Sequence, residues 1–333
     1  MEKTDEYNPI EITIEMENLK IFNKGYELTC ELREFPVSFV NGLRRTVLAE
    51  IPTVCIQDIQ ILENTSQMPH EMLKHRIEML PVNVSPDDSA IIRSTSIELR
   101  IMSNPKQQGV ETITTNDFTI QSGRETVLMK DRDLNTPMLF MRIRPNESVH
   151  FKARLGVEKG SQVCCATSGW HIDPELAKID RKKHIEEGKD PRVFDNFLIQ
   201  RCYSRGPNGR PNWFDLKIES IGVISAKDIL IMAVKILRKS VVDYISDAVK
   251  NIVRSSEKNT YTVSLEYGGH TIGTLVQETM YSDLNVNFVS YDIPHPLKPT
   301  MLLKFNTTKS PELVLEAARN TIEEYCSVVE KGL

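Results

Sequence analysis

The segment PVSFVNGLRRTVLAEIP, Pro36 to Pro52, predicts one helix with a defined start and end. Ser38 is a candidate N-cap, and Pro52 disfavours helical backbone at the residue before it. At about 100° per residue, the apolar side chains cover one half of the helix, which must therefore be buried. This apolar face consists of Phe39, Val40, Leu43, Val47, Leu48 and Ile51.

Two features of this helix are unusual. Arg44 falls inside the apolar arc and Arg45 at its edge, while Gly42 occupies mid-helix, where glycine costs about 1 kcal/mol relative to alanine. One interpretation is a core helix whose arginines extend to water. The other is a helix with partners on two sides, in which Gly42 allows close backbone approach and the arginines contact another protein.

Composition limits the class of protein. The length of 333 residues predicts about two domains. A net charge of −5 and a pI near 5.9 argue against a surface that binds nucleic acid through its phosphates. The net charge does not exclude a local basic patch. The first residues, MEKTDEYNPI, lack the apolar core of a secretory signal, and no apolar run approaches the roughly 18 residues of a membrane span.

The sequence predicts no catalytic or metal-binding motif. Six scattered cysteines without CxxC spacing indicate reduced thiols, with no disulfide framework and no zinc site, and adjacent Cys164 and Cys165 are interpreted as buried thiols. Phosphate-loop, GxGxxG, GxSxG and HExxH motifs are absent from the sequence. Asp131 and Asp133 are the nearest approach to paired carboxylates, but they lie in a polar turn, and the histidines form no spaced cluster.

A strand–helix–strand–long helix pattern occurs twice. The first copy starts with alternating residues from Ile10 to Met16 and ends in a helix that Ser225 caps and that runs to about Val253. The second has a helix from His270 to Met280 with Thr271 as N-cap, and a last helix that Ser310-Pro311 opens. The economical interpretation is that the copies pack on each other, burying more than roughly 2,000 Å².

The predicted fold class is therefore α+β, with two related modules forming an intramolecular pseudo-dimer and a mostly β inserted domain. Residues 1–84 and 213–253 form the discontinuous first module, 85–212 the insertion, 254–259 a linker and 260–333 the second module. The predicted interface between the modules consists of Phe39, Leu43, Val47, Ile272, Leu275, Val276 and Met280.

Several segments, in order, resemble the α-type assembly subunits of multisubunit DNA-dependent RNA polymerases. Residues 39–53, FVNGLRRTVLAEIPT, and 73–84, LKHRIEMLPVNV, are similar to bacterial α, its archaeal D-type counterpart and the third-largest subunit of eukaryotic polymerase II. HTIG at 270–273 and VSYDIPHP at 289–296 resemble the archaeal L-type polypeptide and its small eukaryotic counterpart. The resemblance covers nearly the whole chain, and joining D-like and L-like halves is a trait of large eukaryotic DNA viruses.

The resemblance implies a non-catalytic platform that binds the second-largest and then the largest polymerase subunit, with small accessory subunits as further partners. It implies no cofactor in this chain, with magnesium in the largest subunit, and neither sequence-specific DNA binding nor membrane attachment. It places the protein in the cytoplasm or nucleus of an infected host cell, or in the virion. The residues it assigns to the large-subunit interface are Arg44, Arg45, Leu48, Lys159 and Trp170.

Two departures from the family pattern stand out. The cysteine-rich metal loop of some members has no counterpart, because residues 84–144 contain no cysteine. Aligning the two central helices places Gln277 and Glu278 opposite Arg44 and Arg45, so that only the first module carries the basic pair. Two other functions are alternatives: an enzyme with an unrecognised site in the insertion, using His171 with Cys164 or Cys165, and a stand-alone nucleic-acid-binding module.

Overall fold

The computed structural model describes residues 14–104, 109–124, 126–160, 164–206 and 209–333. Ile10 and Ile12, at the start of the first predicted strand, lie outside the described residues. The strands within the described ranges are β1 (Glu15–Phe22), β2 (Glu27–Arg33), β3 (Pro52–Asn64), β4 (Ser96–Met102), β5 (Glu111–Thr114), β6 (Thr119–Gln121), β7 (Leu139–Ile143), β8 (Ser148–Lys159), β9 (Cys164–Trp170), β10 (Trp213–Ser220), β11 (Ile252–Arg254), β12 (Thr260–Leu265), β13 (Val286–Asp292) and β14 (Met301–Thr307).

The helices within the same ranges are α1 (Val37–Ala49), α2 (His70–Glu78), α3 (Ser89–Ser94), α4 (Pro174–Glu186), α5 (Pro191–Val193), α6 (Ala226–Lys250), α7 (Gly269–Tyr281) and α8 (Pro311–Gly332). Short 3-10 turns occur at Asn23–Gly25, Thr115–Asp117 and Ile199–Arg201, and Phe194–Leu198 forms a π-helical turn. The predicted cap of α6 is confirmed, because the Ser225 side chain accepts a hydrogen bond from the Asp228 backbone N–H at 3.1 Å.

The two central helices begin differently from the prediction. Helix α1 starts at Val37 with Pro36 in the N-cap position, and Ser38 is a buried residue inside the helix, so its prediction as N-cap is wrong. Helix α7 starts at Gly269 after Gly268, whose φ of 126° suits glycine, and Thr271 is likewise not the cap. In both helices, a side chain from the opposite module forms a hydrogen bond with a residue of the first turn. Local sequence rules for helix caps do not include such long-range partners.

Two four-stranded antiparallel sheets share one plan. Their strand orders are β1-β2-β10-β9 and β11-β12-β14-β13. In each sheet the second strand leads into a central helix, α1 or α7, and the third leads into a long helix, α6 or α8. The fourth strands of the two sheets come from different parts of their modules. Strand β13 directly follows α7 in the sequence, whereas β9 lies far beyond α1. The module predicted from the sequence is thus present twice, but in the first copy the fourth strand is β9 and not the strand that directly follows the central helix.

The sheets differ from the predicted domain ranges in three segments. Strand β3 pairs with β8 in a third sheet, ordered β3-β8-β4-β6, so the chain enters the inserted part at Pro52 and not at residue 85. Strand β9 pairs with β10 in the first sheet, although it was assigned to the insertion. Helix α6 ends at Lys250, and Ile252–Arg254 pairs with β12, so the predicted linker is mostly a hairpin turn. The alternation of apolar and polar residues along a strand shows which side chains are buried, but it does not show which other strand pairs with it.

One hydrophobic core joins the two sheet-and-helix modules. Helix α1 packs against α6, α7 and β9, and α6 packs against α8. The rings of Phe35 and Phe39 stack at 5.2 Å, and Tyr325 of the second module meets both edge-on. All seven residues predicted for the interface between the modules are buried in this cluster: Phe39, Leu43, Val47, Ile272, Leu275, Val276 and Met280. The chain is therefore an intramolecular pseudo-dimer.

A second, separate core holds the inserted part together. It combines β3 and α2 with β4 and β8, and three phenylalanines at its centre, Phe118, Phe140 and Phe151, make edge-on or tilted ring contacts. The insertion is mostly β, as predicted, and α4 is a largely exposed helix within it.

The cysteines are all free. Cys30 and Cys326 are buried, and burial raises the pKa of each thiol to about 12. Cys164 is half-buried, whereas Cys165 is exposed, so the prediction that both members of this adjacent pair are buried is wrong for Cys165. Successive side chains of a strand point to opposite faces, which separates the two thiols. None of the helices in the described ranges combines the length and hydropathy needed to cross a membrane.

Candidate subunit interface

A pair of hydrogen bonds relates the two central helices by local twofold symmetry. Arg45 Nε donates to Thr271 Oγ1 at 2.8 Å, and the Ser38 backbone N–H donates to Glu278 Oε2 at 3.1 Å. Ser38 and Thr271 are 233 residues apart in the sequence, as are Arg45 and Glu278. The first turn of each helix therefore contacts the last turns of the other, and the contacting positions are equivalent.

Gly42 lies against α7, but it does not bring two backbones together. A Cβ atom at this position would be 3.5 Å from Thr271 Cγ2, which is an ordinary contact with a side chain. The prediction of close backbone approach at Gly42 is therefore wrong. The tighter glycine is Gly273 in α7, where a Cβ atom would lie 2.5 Å from a ring carbon of Tyr291.

A groove of about 710 Å³ opens where the end of α1 meets the start of α7, and we call it the basic groove. Four of the five predicted large-subunit contacts line it: Arg44, Arg45, Leu48 and Lys159. The opposite wall comes from the second module and includes Tyr267 and His270, while α6 contributes Asp243. The structure thus brings together residues from both modules and from the end of β8.

The side chains of the basic groove have few hydrogen-bond or ion-pair partners among the described residues and remain partly exposed. The half-buried Arg44 donates from Nη2 to Asn41 Oδ1 of its own helix at 3.0 Å. Lys159 Nζ lies 3.2 Å from Glu50 Oε2 in an exposed ion pair. Leu48 is 38% exposed between these charges, although the sequence placed it on the buried face. An exposed leucine flanked by basic groups resembles the mixture of apolar and arginine anchors found at protein interfaces.

Trp170, the fifth predicted contact, lies apart from the basic groove. Cys164 Sγ, at the start of β9, is 3.7 Å from the Val47 carbonyl of α1, and Trp170 is six residues further along the strand, about 20 Å away. Its indole donates to the Gln200 carbonyl at 3.1 Å, packs against Tyr203, and remains 48% exposed. The predicted interface is therefore divided into a compact group of four and one separate aromatic residue.

A second groove, which we call the tyrosine groove, occupies the pseudo-symmetric position and was not predicted from the sequence. Its volume is about 610 Å³, and its lining includes Val37, Glu278, Tyr281 and Tyr325. Tyr281 is 64% exposed and is the counterpart of Leu48, again 233 residues later in the sequence. The repeat in the sequence could have predicted this groove, because each position in one central helix, such as Leu48, has an equivalent in the other.

The two grooves differ in charge. Glu278, in the tyrosine groove, forms an ion pair with Arg210, whereas the counterpart of Arg44 is Gln277, whose side-chain oxygen accepts the Tyr291 backbone N–H at 3.3 Å. The basic groove carries Arg44, Arg45 and Lys159 against Glu50 and Asp243. A partner that fits one groove is therefore not expected to fit the other.

The geometry argues against an enzyme site built from His171 and Cys164 or Cys165. The cysteines begin β9, and His171 follows the end of this strand, about 20 Å away, too far to act on one substrate atom. Asp131 Oδ1 accepts the backbone N–H groups of Asp133 and Leu134, which closes a turn. Arg132 binds Asp133 and holds the pKa of that carboxyl below its usual value, so this pair stabilises a loop.

Family models match both modules. The RNA polymerase Rpb3/Rpb11 dimerisation domain matches residues 29–241, and a second model with the same description matches residues 260–332. The chain belongs to the RNA polymerase Rpb3/Rpb11 dimerisation domain family. The two matches coincide with the two halves of the intramolecular pseudo-dimer. The inserted part lies within the first of these matches.

Relatives of this family member include subunits from eukaryotes and archaea. DNA-directed RNA polymerase II subunit RPB3 of Schizosaccharomyces pombe is 24% identical over 63% of this chain and 80% of its own length. DNA-directed RNA polymerase subunit Rpo3 of Pyrococcus furiosus is 21% identical over 66% of this chain and 92% of its own. Rpo3 of Methanocaldococcus jannaschii is 43% identical, but over only 15% of this chain and 27% of that protein.

Proposed function

We propose that this chain is a non-catalytic assembly subunit of a multisubunit DNA-directed RNA polymerase, with the D-like and L-like halves fused. The basic groove binds the second-largest subunit, and the tyrosine groove then receives the largest. The observation that carries this proposal is the pair of pseudo-symmetric grooves, equivalent in position and different in charge, at the junction of the two modules. The relatives named above, which are polymerase subunits by description, support the same assignment.

Fusion has a physical consequence for assembly. Two modules in one polypeptide meet at an effective concentration in the millimolar range, so the platform forms without a separate association step. It also forces one-to-one stoichiometry. The proposed order, second-largest before largest subunit, follows from the resemblance, as do the small accessory partners and the virion, cytoplasmic or nuclear location in a host infected by a large DNA virus.

The chain is proposed to have neither a catalytic cofactor nor sequence-specific contacts to DNA, with the magnesium chemistry left to the largest subunit. Its formal charge of −5 supports this division, because phosphate binding requires a basic surface. The isolated chain should show no nucleotidyl transfer and no tight binding to duplex DNA in salt-titrated binding assays. Activity or tight binding by the isolated chain would favour one of the alternative functions.

Selective loss of the large subunits tests the assignment of the two grooves. The chain is co-expressed with both large subunits of its polymerase, and complexes are isolated through a tag on this chain. We expect Leu48→Asp to lose the second-largest subunit, and Tyr281→Asp, its pseudo-symmetric control, to retain it and to weaken capture of the largest. Equal recovery of both large subunits with both variants would overturn the assignment.

Arg44→Ala tests a single anchor of the basic groove. We expect affinity for the second-largest subunit to fall by about 2 kcal/mol or more, the range of interface hot spots. The melting temperature should stay unchanged, because the partner of Arg44 among the described residues is Asn41 on its own helix. Titration calorimetry measures the affinity, with Lys74→Ala, on the exposed face of α2, as a control that should leave binding intact.

A further inference from the structure

Three potential metal ligands from distant parts of the sequence meet on the outer face of the first sheet. Glu31, His171 and Asp215 each offer one ligand atom, and these atoms all lie within 4.8 Å of one another. The group does not have the short spacing of a linear metal-binding motif, because 140 residues separate Glu31 from His171. Neither groove described above includes these residues.

The sheet register sets this arrangement. Asp215 of β10 is directly opposite Glu31 of β2, so both carboxylates project from the same face. His171 follows β9, where its backbone N–H donates to the Trp213 carbonyl at 2.8 Å. Its imidazole stacks on the Trp213 ring at 4.1 Å, and Nδ1 lies 2.8 Å from Asp215 Oδ1.

Neighbouring side chains hold the carboxylate of Glu31 in place. Trp213 Nε1 donates to Glu31 Oε2 at 3.0 Å, and Asn18 Nδ2 donates to Oε1 at 3.0 Å. Trp213 therefore orients two of the three ligands, Glu31 by a hydrogen bond and His171 by stacking. Contacts of this kind, from residues outside the ligand set, are what fix ligand orientation in protein metal sites.

The charges around the group favour a cation. Directly opposed carboxylates repel one another, and β1 adds Glu17 on the other side of Glu31. Two basic side chains on the same two strands have other partners: Lys217 pairs with Glu27 at 2.6 Å, and Arg33 lies over the Trp213 ring at 4.7 Å. Among the residues that the structure describes, no lysine or arginine forms a salt bridge with Glu31 or Asp215.

We propose that Glu31, His171 and Asp215 bind a zinc ion that links β2, β10 and the end of β9. One imidazole nitrogen and two carboxylate oxygens suit Zn²⁺, with water in the fourth position of a tetrahedron. Zinc–ligand bonds of about 2.0–2.1 Å place the ligand atoms about 3.3 Å apart. Rotation of the exposed Asp215 side chain, with small shifts of the half-buried Glu31 and His171, closes the remaining gap. The ion stabilises the edge strand β9, and the site departs from the sequence-based prediction of no metal site.

The experiment uses the full-length chain, stripped with EDTA and titrated with Zn²⁺ by calorimetry. Co²⁺ serves as a second probe, because tetrahedral coordination gives it a distinct visible absorption. We expect one Zn²⁺ per chain, and at least a tenfold loss of affinity in His171→Ala and in Asp215→Asn. His150→Ala is the matched control, since His150 also contacts a carboxylate, Glu98, at 2.8 Å but belongs to no group of three ligands among the described residues.

Two further outcomes decide the proposal. Zinc should raise the melting temperature of the parent chain and of His150→Ala, but not that of the two ligand variants, whose metal-free melting temperatures verify that they fold. No saturable zinc binding by the parent, or equal affinity in parent and His171→Ala, would overturn the site and leave a simple His171–Asp215 hydrogen bond. The inference is independent of the proposed function, because neither result involves a polymerase subunit.

Discussion

Arg45 and Glu278 occupy equivalent positions in the two central helices but carry opposite charges. Each reaches the first turn of the other helix, where unpaired N–H groups give a partial positive charge. Glu278 therefore accepts a backbone N–H directly, from Ser38, whereas Arg45 binds the hydroxyl oxygen of Thr271. The difference in charge between these two positions, predicted from the sequence as a basic pair in one module only, therefore also contributes to the contact between the modules.

The six cysteines are expected to differ in reactivity. The reactive form is the thiolate, and burial raises the pKa of Cys30 and Cys326 to about 12 and of Cys55 and Cys164 to about 11. At pH 8 these groups are protonated, while Cys165 is exposed. We expect iodoacetamide to label Cys165 first in the native chain, as measured by peptide mass spectrometry.

The control for this labelling is Cys165→Ser, in which rapid labelling should disappear while the melting temperature is retained. Denaturant should make all six cysteines reactive, because the protection comes from the folded core. Rapid native labelling of Cys326, which lies in α8 against the long helix α6, would contradict the burial described for it.

The packing of helix α1 against helix α7 joins the two modules. Leu43 and Val276 are fully buried at equivalent positions, 233 residues apart, so a carboxylate at either one lacks a partner. We expect Leu43→Asp and Val276→Asp each to lower the free energy of unfolding by about 4 kcal/mol or more. Urea denaturation of the full-length chain measures the change.

Leu48→Asp, on the same helix but 38% exposed, is the matched control and should change stability by less than about 1 kcal/mol. Since Leu43 and Leu48 differ in burial and not in residue type, the comparison isolates packing between the modules. Parent-like unfolding of Leu43→Asp would show that the two helices do not form a shared core.

The two modules share one hydrophobic core, while the insertion has its own. Cutting the chain in the hairpin turn, at a protease site inserted between the exposed residues Ser256 and Glu257, tests this division. We expect the two fragments to co-elute on size exclusion, because the buried surface of α1, α6, α7 and α8 is intact. The uncut chain is the control.

The cut should make the melting temperature depend on concentration, because the fragments lose the effective concentration that the linkage supplies. The uncut chain should show no such dependence. Fragments that separate on the column at micromolar concentration would mean that the linker, and not the shared core, holds the modules together.

Local pattern determined much of this protein. The apolar faces of α1 and α7, the cap at Ser225 and the strands β12 and β14 follow from periodicity and turn chemistry, which act over a few residues. The recurrence of one module in the sequence also predicted the pseudo-dimer, since an apolar face must be buried. Four of the five residues that the family resemblance assigned to the large-subunit interface lie together in the basic groove.

The segments that lie beside one another are known from the folded chain and not from the local pattern. Strand β9 takes the edge position in the first sheet, β3 joins the insertion, and Trp170 lies away from the basic groove. The same pairing brings Glu31, His171 and Asp215 together. Hydrophobic alternation fixes which face of a strand is buried, but the partner of that strand depends on hydrogen bonds and packing between residues more than a hundred positions apart, which no local pattern encodes.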